Sequence, residues 1–206
     1  MAAIRTYLFV IWAVALVISE ARRLRHKELN DEQEVVAAAN SAKGEPSLAL
    51  PVSLQQLTEG KKKYAIRSLS SGRYLDGRNP GMDDPLLSDG SRDPLSDAHL
   101  QWIISPISNT ENVFSIRSVS SGRLLDGRNP GMNDVKISDG TRNPETDMYL
   151  QWQIIQLTEN TFALLSQSSG QYLDGRSPQL DTPILNTESW DPYSNVYLQF
   201  SIFALD

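Results

Sequence analysis

The chain has 206 residues, 40% hydrophobic and 21% charged, which is enough apolar material for one or two cored domains and too much for a disordered or collagen-like chain. It contains no cysteine, so disulfide frameworks, thiolate metal sites and thiol nucleophiles are excluded together. With 19 Lys+Arg against 25 Asp+Glu the formal charge is -6, which repels a polyanionic backbone, so nucleic acid is not an expected partner.

Residues 1–21 have the layout of a secretory signal. Arg5 supplies a positive start, an apolar run covers residues 7–18, and small residues stand around Ser19 and Ala21. The run is too short to span a bilayer comfortably, so the segment is expected to be removed, with no stable membrane insertion afterwards and with secretion of the product. Residues 22–59 follow as a linker or pro-segment, mostly disordered: basic from Arg22 to Lys27, acidic from Glu28 to Glu34, and poor in large apolar side chains. A weak helix over residues 28–42 is compatible with this composition.

From residue 60 onward the dominant signal is internal repetition. Segments 66–102, 116–152 and 164–200 align without a gap. Roughly two thirds of the positions match between the first two and about half between the first and third, far above the level that average composition produces. Gly72, Gly122 and Gly170 mark the period. The domain is therefore expected to span residues 60–206, in units of about 60–108, 109–158 and 159–206.

Within a unit the hydrophobic pattern has period two. Strand-like runs cover 64–68, 73–76, 85–88 and 99–104 in the first unit, separated by Ser-Ser-Gly, Asp-Gly, Asn-Pro-Gly and Ser-Asp-Gly turns. That predicts an all-β fold with three units of four strands each. A propeller needs more blades to close, and a sandwich has no need of a threefold repeat. The apolar positions Ile66, Leu75, Leu87, Leu100 and Trp102, with their counterparts, are the candidate core. Gln101, Gln151 and Gln199 are expected to point outward or to pair with a turn.

The endings Leu100-Gln101-Trp102, Leu150-Gln151-Trp152 and Leu198-Gln199-Phe200 resemble the Gln-x-Trp signature of ricin B-type lectins. The resemblance covers residues 60–206 and implies a β-trefoil with pseudo-threefold symmetry. It also implies glycans or glycoconjugates as partners.

The repeated polar residues suit that chemistry. Each unit carries Leu-Asp-Gly-Arg: Asp76 with Arg78, Asp126 with Arg128, and Asp174 with Arg176. Vicinal sugar hydroxyls are recognised by a carboxylate acceptor and a fixed donor fork such as a guanidinium. In ricin B-type lectins an Asp at this place accepts bonds from the sugar, and Asp76, Asp126 and Asp174 match it by position. A purely structural reading stays open, because Asp before Gly is a common turn residue. A second candidate patch contains Asp89 with Arg92 and Asp139 with Arg142. In the third unit it is replaced by residues 186–190, ending in Trp190, an aromatic platform near where the lectin family has one. The Asn that assists the Asp in that family aligns with His99, Tyr149 and Tyr197. Two similar sites and one variant site are expected.

Catalysis has little support. The repeat region holds a single histidine, His99, and lacks Gly-x-Ser-x-Gly, His-Glu-x-x-His and phosphate-binding glycine loops. No enzyme, metal or cofactor is expected, since the acidic loops around Asp83 and Asp89 follow no EF-hand pattern. The alternative is a secreted protein-interaction module on the same scaffold: a protease inhibitor, cytokine-like ligand or effector with a protein partner.

Overall fold

A computed structural model describes residues 52–59, 62–77, 84–88, 91–127, 134–138, 140–175, 182–186 and 190–205, all within the unit Ser47–Asp206. The expected signal segment and residues 22–51 of the expected linker lie outside the described residues.

Twelve strands form in chain order among the described residues. The first unit supplies β1 (Lys63–Ser68), β2 (Leu75–Asp76), β3 (Leu86–Leu87) and β4 (Trp102–Pro106). The second supplies β5 (Val113–Ser118), β6 (Leu125–Asp126), β7 (Lys136–Ile137) and β8 (Trp152–Gln156). The third supplies β9 (Phe162–Ser166), β10 (Leu173–Asp174), β11 (Ile184–Leu185) and β12 (Phe200–Ala204). Outer strands of the units close a barrel in the order β1-β12-β9-β8-β5-β4, and the inner pairs β2-β3, β6-β7 and β10-β11 form three separate hairpins. This is the all-β, β-trefoil architecture.

Barrel closure is written into the register. Ile66 pairs with Ile202, Ile104 with Ile116, and Ile154 with Leu164, so one inward layer draws equivalent residues from all three units. Each of these pairs joins two units, and closure of the barrel is therefore inseparable from association of the repeats. The candidate core residues Ile66, Leu75, Leu87, Leu100 and Trp102 are all buried, as are their counterparts. Leu100 packs apart from the main cluster, with Ala65 and Tyr74.

The core also recruits residues ahead of position 60. A one-turn helix, Leu54–Leu57, sets Leu57 at 0% exposure in the main cluster together with Val52. Val52 N–H donates to Ile202 C=O at 3.0 Å, and the Tyr64 hydroxyl donates to Gln56 C=O at 3.2 Å. A stretch with few large apolar residues thus contributes two of them to the barrel.

One local expectation is corrected. Residues 99–104 do not form a continuous strand: a 3-10 turn occupies Ala98–Leu100, and the strand begins at Trp102. The cause is Asp97, whose side chain accepts from the His99 N–H at 3.0 Å and offers the backbone a local partner in place of a ladder. Asp147 and Asn195 do the same in the other units, at 3.1 and 3.0 Å.

Two kinds of glycine serve two physical needs. Gly72, Gly122 and Gly170 have φ of 68°, 69° and 67°, the left-handed region in which a side chain is strained. Gly77, the glycine of the first Asp-Gly pair, is required by space: a Cβ there would lie 2.5 Å from the Ser118 hydroxyl oxygen of the next unit.

Candidate functional site

Asp76, Asp126 and Asp174 each stand at the end of the second strand of their unit. The following glycine locks the backbone there, with Gly77 N–H donating to His99 C=O, Gly127 to Tyr149 and Gly175 to Tyr197, each at 2.8 Å. The three aspartates are 0%, 2% and 1% exposed, so their carboxylates are desolvated and must be satisfied by neighbours.

In the first two units an arginine from the second patch does this. Arg92 Nη1 donates to Asp76 Oδ2, and its Nε donates to Asp97 Oδ2 at 2.5 Å. Arg142 repeats the arrangement, with Nη1 on Asp126 Oδ2 and Nε on Asp147 Oδ2 at 2.6 Å. Its guanidinium also lies 5.3 Å from the Tyr149 ring centroid. Burial opposes the charge on Arg92, and hydrogen bonds to Asp76 and Asp97 outweigh it, holding the guanidinium above its ordinary value. For Arg142 the bond to Asp147 is the largest influence and the result has the same direction. Two carboxylates thus share one guanidinium in each unit, a charge-assisted clamp with fixed geometry.

The third unit exchanges all the parts together. Trp190 stands in place of the arginine, Asn195 in place of the second aspartate, and Asn186 in place of Ser88 and Ser138. Asn186 Nδ2 donates to Asp174 Oδ2 at 3.1 Å, an amide doing part of the work that the guanidinium does elsewhere. The same unit carries a cleft of about 480 Å³, lined by Trp190, Asp191, Ser194, Asn195, Val196 and Tyr197. Trp190 and Tyr197 are 37% and 38% exposed, and Tyr193 nearby is 57% exposed. Burial and the nearby Asp191 push the Tyr172 phenol up, so it stays a neutral hydrogen-bonding group at physiological pH.

The glutamines of the repeated endings hold these loops in place. Gln101, Gln151 and Gln199 donate through Nε2 to the carbonyls of Pro94, Pro144 and Pro192, each at 2.8 Å. They pair with turns, and the turns they brace carry Asp97, Asp147 and Asn195.

The structure therefore brings Asp76 and Arg92 together, and Asp126 and Arg142, across sixteen positions of sequence. Arg78, Arg128, Arg176, Asp89 and Asp139 lie outside the described residues. Asp97, Asp147, Asn186, Asn195 and Tyr197 were not singled out as ligand-contacting residues from sequence. The available signal was the simultaneous loss of Arg and of the second Asp in one unit. Among the described residues no group of three or more His, Cys, Asp or Glu could hold a metal ion, and no helix is long and apolar enough to cross a membrane.

Comparisons with known proteins agree with this architecture. The ricin-type beta-trefoil lectin domain-like family profile matches residues 53–142 and again 98–187. No curated protein sequence matches the chain. Among solved structures, the designed threefold-symmetric protein ThreeFoil is similar at TM-score 0.55 and 17% identity, over 68% of this chain and 97% of that one. A Polyporus squamosus lectin bound to the epitope Neu5Aca2-6Galb1-4GlcNAc is similar at TM-score 0.56 and 16% identity, over 69% of this chain and 49% of that one. The BEL beta-trefoil is similar at TM-score 0.51 and 20% identity, over 70% and 94%. These structures share the fold, and the two overlapping profile matches, offset by about one repeat, reproduce the internal triplication. The chain belongs to the ricin-type beta-trefoil lectin domain-like family.

Proposed function

We propose that the trefoil is a secreted carbohydrate-binding module without catalytic activity, and that its sugar site is the third-unit cleft. One observation carries this reading: Trp190 and Tyr197 expose aromatic surface in the same cleft as the Asn195 amide. A pyranose has an apolar C–H face that a ring covers and a rim of hydroxyls that an amide meets with both a donor and an acceptor. Trp190 stacks on the ring, and Asn195 and Ser194 meet hydroxyls. Family membership and the glycan bound by the Polyporus lectin support a saccharide as the ligand class. The signal-like pattern of residues 1–21 supports an extracellular setting, where glycans are displayed.

The same exposed residues, with Tyr193 and Val196, would also suit a protein partner. A printed glycan array separates the two readings. The protein is expected to give discrete glycan signals that fall about 10-fold in Trp190→Ala, the loss of roughly 1.4 kcal/mol that one stacked ring contributes. Absence of any glycan signal from the unsubstituted protein would reject the lectin reading and favour the protein-interaction module.

A further inference from the structure

We infer that Arg92 and Arg142 are built-in occupants of the first two sugar positions, so that the protein is monovalent for glycan. This rests on the reading that the third-unit cleft takes the sugar.

The acceptor carboxylates of the first two units, Asp76 and Asp126, are buried and already receive a guanidinium N–H. Both carboxylates are closed to solvent, and a sugar hydroxyl arriving at the Oδ2 edge would replace a charge-assisted bond with a weaker neutral one. The displaced guanidinium would then have to leave Asp97 or Asp147, to which it is bound along its other edge. In the second unit the face of the guanidinium is also covered, by Tyr149. A hydroxyl therefore competes with a partner that is covalently part of the protein and present at high effective concentration. The third unit removes the cation and the second carboxylate at once, and supplies Asn186 so that Asp174 remains hydrogen-bonded without them. Such a coordinated exchange turns a closed polar clamp into an open cleft, and it happens in one unit of the three. Monovalence has a functional consequence. The protein can mark or mask a glycan, but a single copy cannot cross-link two.

Isothermal titration with a panel of methyl glycosides (galactose, N-acetylglucosamine, mannose and fucose) tests the stoichiometry. The unsubstituted protein is expected to bind about one equivalent of whichever glycoside it accepts, and Trp190→Ala the same single equivalent about 10-fold more weakly. The triple variant Ser138→Asn, Arg142→Trp, Asp147→Asn, which transplants the third-unit residues into the second unit, is expected to bind about two. Two or three equivalents on the unsubstituted protein would overturn the inference while leaving the lectin reading intact. Failure of every glycoside on that protein would instead sink the lectin reading, and this inference with it. Should the triple variant fail to fold, the Arg92 and Arg142 Nε–H resonances of the unsubstituted protein decide. They are expected to exchange slowly with solvent and to stay in place at saturating sugar, whereas movement of either on titration would show that its clamp opens to ligand.

Discussion

The hydroxyl of Ser118 donates to the carbonyl oxygen of Gly77 across 3.4 Å, joining the second unit to the turn that follows the buried aspartate of the first. Ser166 does the same to Gly127, and Ser68 to Gly175, so the three contacts close a ring around the pseudo-threefold axis. The contact is possible because glycine leaves room for the serine. A Cβ on Gly77 would lie 2.6 Å from the Ser118 Cβ, and neither atom can move without shifting backbone.

Gly77→Ala is therefore expected to destabilise the domain by about 1–3 kcal/mol through overpacking. Adding Ser118→Gly removes the obstructing atoms and should recover part of the loss, which a double-mutant cycle in urea would read as a favourable coupling. Strict additivity of the two substitutions would show that the steric account is wrong.

Leu57, fully buried in the barrel cluster, predicts that residues 52–59 belong to the folding unit. Leu57→Ala should cost about 2–5 kcal/mol, the range for removing a buried leucine side chain. Denaturant unfolding measures it directly. A cost under about 0.5 kcal/mol, the level of an ordinary surface substitution, would return those residues to the role of linker.

Lys136 supplies a pH-dependent term. Its ammonium on β7 bonds to Asp84, in the loop before β3, and lies 3.1 Å from Asp134 Oδ2. The bond to Asp84 is the main cause that raises its pKa above the ordinary 10.5. Because the folded value is the higher one, this contribution is complete below 10.5 and is lost as the pH rises through the raised value. The pair is partly exposed, so its worth is under about 1 kcal/mol. Urea midpoints of the unsubstituted protein and Lys136→Met should differ near neutral pH and converge once the pH has risen past the raised value. A gap that persists at the alkaline end would assign the difference to packing of the lysine stem instead.

Much of this fold was legible because it is written three times. The repeat, the period-two pattern and the Gln-x-Trp-like endings led to a trefoil; the core positions Ile66, Leu75 and Trp102 are buried in one cluster, and Leu87 is buried as well. Capping was harder to see. Asp97 carries no sequence signal of its own, yet its side chain holds the 3-10 turn and shares Arg92 with Asp76. The role of the Asp-Gly glycine was also hidden, because positive φ explains a turn glycine locally, whereas the need at Gly77 comes from a serine in the next unit.

The sequence by itself determined the number of units, their strand content, the apolar layers and the position of each polar residue within its repeat, because all of these follow from local periodicity and self-alignment. Only the tertiary structure decided which polar residues meet. Asp76 and Arg92 are sixteen positions apart along the chain, and the folded unit sets the buried carboxylate of one against the part-exposed guanidinium of the other. The third unit, where the guanidinium is replaced by indole, carries a cleft instead. Spacing along a chain records neither burial nor contact, and those two quantities separate a residue engaged inside the protein from one offered to a ligand.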